Sequence, residues 1–345
     1  MIYLVPLLIF LVAMFLIPMV KVVELSLHGV NGFGHPLPGL SGVEYQQVFT
    51  ESYYYGALLH SLLTAVIVTA LCVVLAFPVA SALARRGPGV VRTIIFVIVV
   101  SPLLTSVVVR SYGWVVLLST NGVVNRVLVD IGVFSQPQNL LLSYGAVLVS
   151  VTHVMLPFMI ISLTTALRGI DGSLIRASRS LGAGPVRTFL HVTLPLSLPG
   201  ISTGVLIVFP LTMGIYITPL LIGGSNQPLA GIRIYNEITS VFDFPVAAAL
   251  SLVLLVMSLL SVSAIGLGFR AWERRLYGNA LSAPCRRRAG AAVPGGAARG
   301  AGGQLVQLHR VAGVPAERIL LPLVQRGAQL LRLAGVVPAQ RAAGA

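Results

Sequence analysis

Long apolar runs separated by short polar stretches fill residues 1–277 of this chain. A helix that crosses about 30 Å of hydrocarbon needs roughly 20 mostly apolar residues. A backbone inside lipid must also satisfy its own hydrogen bonds, which favours helices for such runs. The pattern therefore predicts an all-α integral membrane protein with six transmembrane helices, at residues 2–20, 57–84, 93–118, 140–166, 197–222 and 246–269.

Prolines lie inside these predicted spans, among them Pro102, Pro157 and Pro210. A proline within a helix leaves a carbonyl unpaired and favours a kink. Kinks are common where helices line a pathway, but membrane helices also tolerate proline without a special role. Both interpretations stay open from the sequence.

Composition agrees with a membrane protein. Hydrophobic residues make up 56% of the 345 positions and charged residues only 9%, against roughly 25% charged in a typical soluble domain. The two cysteines, Cys72 and Cys285, are far apart and have neither metal-site spacing nor a disulfide framework. We therefore predict no metal and no cofactor.

The distribution of Lys and Arg predicts the orientation, because cytoplasmic loops carry the excess. Loops on one side hold ten such residues and loops on the other side three, so both termini are predicted to be cytoplasmic and loops 21–56, 119–139 and 223–245 to face outward. The ten are Arg85, Arg86, Arg92, Arg168, Arg176, Arg179, Arg187, Arg270, Arg274 and Arg275, and the three are Lys21, Arg126 and Arg233.

The first span could instead be a signal peptide. It lacks a basic region before it and a small-residue cleavage site after it, and its apolar run is long. A transmembrane helix is the favoured interpretation.

A long predicted cytoplasmic loop, residues 167–200, joins the fourth and fifth spans. Asp171 or Ser173 can cap a short helix over 174–181, and Pro185 is suited to the first position of a second one. Gly182 can form the bend between them. The loop is therefore predicted to be a helix–bend–helix elbow that a partner protein can grip, although an amphipathic helix bound to lipid headgroups is the competing interpretation.

The same loop resembles the EAA loop of ABC-importer permeases, which inserts into a cleft of the cytoplasmic ATPase. The matching positions are Ala177, Leu181, Gly182, Ala183, Phe189, Leu194 and Pro195. Two positions depart from the pattern, because Arg176 replaces the Glu of the motif and Ser178 replaces its second Ala. The resemblance implies that Arg176, Ala177, Ser178, Leu181, Gly182, Ala183 and Pro195 form the ATPase-coupling site.

Further segments within residues 1–277 resemble the first permease subunit of spermidine/putrescine-type importers, among them 110–114, 118–122 and 156–159. This resemblance implies a polyamine substrate, a periplasmic substrate-binding protein, a second permease forming a heterodimer, and a cytoplasmic ABC ATPase dimer. It places the chain in the bacterial inner membrane, within the lipid bilayer, as a multi-pass protein that binds no nucleic acid.

Ionisable and aromatic side chains within spans are candidates for a transport pathway, because burying them in lipid is costly. Arg110 would repel a cationic substrate and has an alternative role, in which it extends to the membrane surface. His153 has the alternative of a hydrogen bond between helices, and Trp114 and Tyr53–Tyr55 fit an interfacial aromatic belt. The outer carboxylates Glu237 and Asp243 could attract a cation or contact the binding protein. The possible pathway set is Arg110, Tyr112, Trp114, His153 and Tyr216.

The last segment, residues 278–345, does not resemble the rest. It carries 9 Arg and one Glu and is rich in Ala, Gly and Pro, which favours disorder or an RNA-binding arm. A third interpretation is a shift of reading frame, because codons for Val314–Arg326 read from their second base permit a segment that resembles the outer loop of the partner permease. On that hypothesis the tail has no selected function.

Two other classes of membrane protein compete with the permease. A secondary transporter would couple through carboxylates within the membrane, yet Asp and Glu are absent from all six predicted spans. A membrane enzyme would need catalytic residues, and no nucleophile–base set or phosphate-binding glycine loop is present in the sequence. ATP hydrolysis is therefore predicted to reside on a partner.

Overall fold

The structure is a computed structural model that describes residues 4–29, 39–225 and 227–282, with side chains for 10–29, 39–225 and 227–272. These residues form α-helices without a strand. In chain order they are α1 (Leu4–Leu25), α2 (Val43–Thr50), α3 (Ser52–Arg85), α4 (Val90–Leu104), α5 (Val107–Leu118), α6 (Val123–Asp130), α7 (Tyr144–Arg168), α8 (Gly172–Ser180), α9 (Pro185–Thr188), α10 (Leu194–Met213), α11 (Ile217–Gly223), α12 (Ala230–Asn236) and α13 (Phe244–Ser282).

The all-α membrane class is confirmed. Five helical segments of the described chain are long and apolar enough to cross a membrane, namely Ser52–Arg85, Val107–Asp130, Tyr144–Arg168, Pro185–Met213 and Phe244–Trp272. The 22-residue helix α1 occupies the position of the first predicted span. The backbone of α13 continues to Ser282, and the rest of the predicted tail, residues 283–345, lies outside the described residues.

The third span is not the continuous helix that the sequence predicts over 93–118. Helix α4 ends at Leu104, the backbone is extended at Thr105, and α5 begins at Val107. Pro102 lies in the last turn of α4, and the Thr105 hydroxyl donates to its carbonyl at 3.0 Å. The helix therefore ends within one turn of a proline, and a side chain satisfies the Pro102 carbonyl, which the helix end leaves without a backbone partner.

The fifth predicted span, 197–222, is wrong at both ends. A π-helical turn, Phe189–Thr193, joins α9 directly to α10, so one helical segment runs from Pro185 to Met213. At the other end α10 stops at Met213, three residues after Pro210, and α11 begins only at Ile217. Apolar composition alone does not distinguish a continuous helix from two helices separated by a short break.

The centre of the bundle is formed by α3, α7 and α10. Its buried side chains include Cys72, Val151, Met159 and Leu198, with solvent exposures of 0 to 2%. Small residues bring α7 and α10 together, because a Cβ added at Gly204 would lie 2.4 Å from the Met159 sulfur. Close approach through small residues is how helices pack in membranes, where lipid supplies no hydrophobic drive. The two spans that flank the loop at 169–184 are thus packed directly on each other.

Candidate functional site

The elbow between α7 and α10 is built from the residues that the sequence singles out. The Asp171 carboxylate accepts from the backbone N–H of Ser173 at 2.8 Å and caps α8. At the other end Gly182 has a φ of 82°, its N–H donates to the carbonyl of Arg179 and the N–H of Ala183 donates to that of Ser178. This pair of bonds is a Schellman motif, which requires a left-handed residue and therefore favours glycine.

The concave side of the elbow is an apolar groove with a volume of about 820 Å³. The Ser178 and Thr188 hydroxyls, 3.1 Å apart, hold α8 against α9 across the bend. Leu181 is 89% exposed at the edge of the groove, although exposing a leucine side chain to water is unfavourable. The lining residues are Leu174, Ala177, Ser178, Leu181, Ala183, Arg187, His191, Val192, Pro195 and Leu196.

Five of the seven predicted coupling residues line this groove together, and two do not. Gly182 forms the bend instead, with no atom within 4 Å of the position that its Cβ would take. Arg176 is exposed on α8 close to the N-terminal end of that helix, with its guanidinium 3.2 Å from the Cβ position of Gly172. Their contact with an ATPase, and the cytoplasmic position of the elbow, stay predictions.

The elbow is positively charged. Exposed arginines lie at the end of α7, on α8 and on α9, whereas Asp171 is the acidic residue among 167–200. Hydrogen bonds from the backbone and hydroxyl of Ser173, together with the charge of Arg176, hold the pKa of Asp171 below its ordinary value. The arginines are Arg168, Arg176, Arg179 and Arg187.

Two of the predicted pathway residues meet inside the bundle. The indole N–H of Trp114 on α5 donates to Nδ1 of His153 on α7 at 3.3 Å, with ring centroids 5.5 Å apart. Trp114 therefore bonds to a neighbouring helix, and its place in an interfacial aromatic belt stays a prediction. For His153, a hydrogen bond between helices is the role that the structure shows.

Arg110 bonds to the helix that precedes its own. Its guanidinium donates to the carbonyl of Pro102, so it supplies a donor to the helix end that the α4–α5 break leaves open. The other two predicted pathway residues lie elsewhere. Tyr112 is 56% exposed on α5, and Tyr216 stacks on Tyr235 at the connection before α11, with centroids 5.7 Å apart.

Several polar contacts between helices were not predicted. The Ser111 hydroxyl lies 3.0 Å from that of Thr218, linking α5 to α11, and the Thr64 hydroxyl lies 2.7 Å from that of Tyr144, linking α3 to α7. The buried Ser61 hydroxyl accepts from the backbone N–H of Ala230 at 2.8 Å. Serine and threonine within apolar runs are the only sequence signal for such contacts, and that signal does not identify the partner.

The two carboxylates that the sequence predicts to face outward, Glu237 and Asp243, are both engaged in hydrogen bonds within the chain. Glu237 is 3% exposed and accepts from the Tyr54 hydroxyl at 3.1 Å, and Asp243 caps α13 by accepting from the N–H of Val246. Arg233 stacks over the ring of Tyr53 at 3.9 Å. Among the described residues, no group of three His, Cys, Asp or Glu side chains is arranged to hold a metal ion.

Comparison with known proteins identifies the family. The profile described as "Binding-protein-dependent transport system inner membrane component" matches residues 73–275. The spermidine/putrescine transport system permease protein PotB of Escherichia coli is 36% identical over 204 residues, which cover 59% of this chain and 74% of PotB. The molybdenum transport system permease protein ModB of Mycobacterium bovis is 35% identical over 215 residues, which cover 61% of this chain and 78% of ModB.

The fold is shared with a solved transporter. A bacterial ABC transporter involved in the import of the acidic polysaccharide alginate matches with a TM-score of 0.58 at 19% identity, over 78% of this chain and 94% of that one. At this identity the likeness concerns the fold alone. Because the family profile covers more than half of the chain and PotB matches over most of its length, the chain belongs to the family of binding-protein-dependent transport system inner membrane components and is an ABC-importer permease, a multi-pass protein of the inner membrane.

Proposed function

We propose that this permease imports a polyamine and that the elbow between α7 and α10 binds a cytoplasmic ABC ATPase dimer. A second permease completes a heterodimer, and a periplasmic binding protein delivers the substrate. The observation that carries the proposal is the groove of the elbow, in which Leu181 is 89% exposed beside Ala177, Ser178 and Ala183. An exposed apolar edge beside small residues suits the close approach of a protein partner.

The connections of the elbow suit it to transmit force. Only residues 169–171 separate α7 from α8, and α9 continues through the π-helical turn into α10. The ring of Phe189 in that turn also packs edge-on against Phe77 of α3, with centroids 4.9 Å apart. A partner that moves the elbow would therefore move central spans as rigid elements, which is how small displacements become domain-scale movements.

The elbow is tested by comparing two exposed apolar residues, one that lines its groove and one that does not. Leu181→Asp places a charge at the groove, whereas Val186→Asp places one on α9, at a residue that is 68% exposed but does not line the groove. We expect Leu181→Asp to lose copurification with the ATPase and uptake, and Val186→Asp to retain both. Normal ATPase binding by Leu181→Asp would refute the assignment of the groove.

The orientation is tested with thiol labelling. In a background with Cys72→Ser and Cys285→Ser, Ser180→Cys marks the end of α8 and Asn121→Cys marks the turn between α5 and α6. A membrane-impermeant maleimide applied to intact spheroplasts should label Asn121→Cys at once and Ser180→Cys only after lysis. The reverse pattern would place the elbow outside the cell.

The polyamine assignment is supported by the spermidine/putrescine permease relatives. The Arg110 guanidinium keeps its positive charge when it donates to the Pro102 carbonyl, so we expect a cationic substrate to pass without contacting it. Uptake of radiolabelled spermidine, putrescine and molybdate by cells that express the whole transporter tests the assignment. We expect polyamine uptake that needs this chain, and uptake of molybdate alone would transfer the assignment to the substrate named for ModB.

A further inference from the structure

Polar side chains link helix α5 to three neighbouring helices, beside the apolar contacts that Leu118 makes with Ala146 and Ile222. It begins after the break at Thr105 and Ser106 and ends at the Ser119–Gly122 turn, and much of its outer surface is exposed, including Val109, Tyr112 and Val116. Three of its residues bond to three different helices: Arg110 to the carbonyl of Pro102 on α4, Ser111 to Thr218 on α11, and Trp114 to His153 on α7.

The break before α5 does not suit contact with lipid. Thr105 and Ser106 are exposed in this chain and lie outside a helix. Irregular backbone at membrane depth is tolerated only where it meets protein or lines a water-filled cavity. Helix α5 therefore lies where the chain meets either a protein partner or the transport pathway, and it has a non-helical connection at each end.

Helix α7 connects this region to the elbow. It runs without interruption from Tyr144 to Arg168, and α8 follows after three residues. His153 lies 15 residues before Arg168, which is about 22 Å along a helix that rises 1.5 Å per residue. The buried flank of α7, including Val151, Val154 and Met155, packs into the core. Pro157 lies in this stretch without interrupting the helix, so a displacement of the elbow would reach His153 through one continuous helix.

The contact between the two rings also defines the protonation state of His153. An indole N–H is a donor only, so Nδ1 of His153 must be the acceptor and carry no proton. The imidazole is then neutral, with its proton on Nε2. A second proton would occupy Nδ1 and remove the acceptor, which would break the bond between α5 and α7.

We propose that Trp114 and His153 form a positioning joint through which movement of α7 carries α5 during the transport cycle. Neither residue needs to touch the substrate. The joint depends on the proposed coupling function of the elbow, because the elbow supplies the movement. Without the joint, the elbow would still bind and respond to the ATPase, but α5 would follow α7 less closely, through its remaining contacts such as Ser111 with Thr218.

The charged and titratable groups around the joint are few among the helices that pack on α7. Helices α10 and α11 contain none, and α4 contributes Arg92 at its first turn. Helix α3 contributes His60, Arg85 and Cys72, and the Cys72 thiol donates to the carbonyl of Thr152. Arg110, on the same helix as Trp114, is a charged group that acts on His153. A change between pH 8 and pH 5.5 that disappears when His153 is replaced therefore reports on His153 itself.

The first test compares two replacements of His153 in the complete transporter, reconstituted in proteoliposomes. His153→Gln keeps an acceptor oxygen that does not titrate, whereas His153→Leu keeps bulk without an acceptor. We expect His153→Leu to hydrolyse ATP at a rate near that of the wild type and to import about tenfold less spermidine per ATP, as the loss of one part-buried hydrogen bond allows. His153→Gln should transport normally and should not lose activity at pH 5.5. Equal uptake per ATP in His153→Leu and the wild type would overturn the joint.

The second test reads the contact without transport. The chain has two tryptophans, so Trp272→Phe leaves Trp114 as the fluorescent reporter. In the full chain purified by itself in detergent, protonation of the adjacent imidazole should quench Trp114 fluorescence as the pH falls, and His153→Gln should abolish that titration. An emission spectrum of Trp272→Phe that His153→Leu leaves unchanged would overturn the contact. A wild-type complex that copurifies with no ATPase would instead overturn the proposed function.

Discussion

Gly200 of α10 lies so close to Ala166 of α7 that a Cβ on Gly200 would stand 2.4 Å from the Cβ of Ala166. The same Cβ would stand 3.0 Å from the carbonyl oxygen of Ser162, which is backbone and cannot turn away. One turn further on, Gly204 faces Met159 in the same way. The two spans that flank the elbow can thus cross this closely only because Gly200 and Gly204 have no Cβ.

Gly200→Ala is therefore expected to force α7 and α10 apart. We expect a destabilisation of about 1–3 kcal/mol, as for other overpacked cores, seen as a lower midpoint of thermal unfolding in detergent. Gly56→Ala on α3 is the matched control, because no atom lies within 4 Å of its Cβ position. An equal loss in both variants would show that alanine itself, rather than the crossing, is responsible.

Gly182 gives a prediction about backbone conformation. The sequence predicts that Gly182→Glu, or deletion of 174–184, leaves the protein inserted but abolishes transport and ATPase association by blocking close approach. The φ of 82° adds a second cause, because a β-branched side chain is strained there while asparagine tolerates it. Gly182→Val should thus lose ATPase copurification, and Gly182→Asn should retain much of it. Equal copurification by the two variants would contradict a role for the left-handed bend.

Glu237 gives a prediction about pH. Burial raises the pKa of this carboxyl above its ordinary value of 4.5, the Tyr54 bond and the charge of Arg233 oppose the rise, and Asp243 and Glu51 add to it. A group whose pKa is higher in the folded protein favours folding below the unfolded value and loses that contribution as the pH rises through the folded value. Glu237→Gln keeps an acceptor for Tyr54 and does not titrate. Its thermal unfolding midpoint, measured relative to that of the wild type, should therefore be higher at pH 8 than at pH 5.

Tyr54→Phe is the companion variant for Glu237. It removes the donor and leaves the carboxylate buried, so its loss of stability should be larger at pH 8 than at pH 5. If the difference between Glu237→Gln and the wild type is the same at both pH values, Glu237 does not titrate in this range.

The C-terminal tail is predicted to be dispensable. Truncation after Tyr277 should leave uptake unchanged, because the family profile ends at residue 275 and the long apolar segment of α13 ends at Trp272. The backbone of α13 continues to Ser282, so truncation after Ser282 is the matched control. Loss of uptake after Tyr277 but not after Ser282 would assign the difference to the last turn of α13.

The reading-frame hypothesis predicts the DNA beyond codon 277. In the alternative frame it should continue as a second six-span permease, which resequencing of the locus would show. A stop codon in that frame shortly after the codons for Val314–Arg326 would refute the hypothesis.

The sequence by itself determined the membrane class and the form of the elbow. Apolar runs of 20 residues have one structural solution in lipid, so composition and length are sufficient to predict helices there. The Asp171 cap and the Pro185 start are equally local, because each depends on a few neighbouring residues. The π-helical turn that fuses α9 to α10 was not predicted, since no residue pattern distinguishes it from an ordinary helical turn.

Only the tertiary structure decided which polar side chains within the membrane act together. Trp114 and His153 are 39 residues apart, and Glu237 and Tyr54 are 183 apart, so no local sequence pattern predicts either contact. The break at Thr105 is of the same kind, because Arg110 from the next helix compensates the free carbonyl of Pro102. The pattern of apolar residues predicts which segments are buried in lipid or protein as helices. The partner of a buried polar group depends on which helices pack together, and that is settled by close contacts such as that of Gly200 with Ala166.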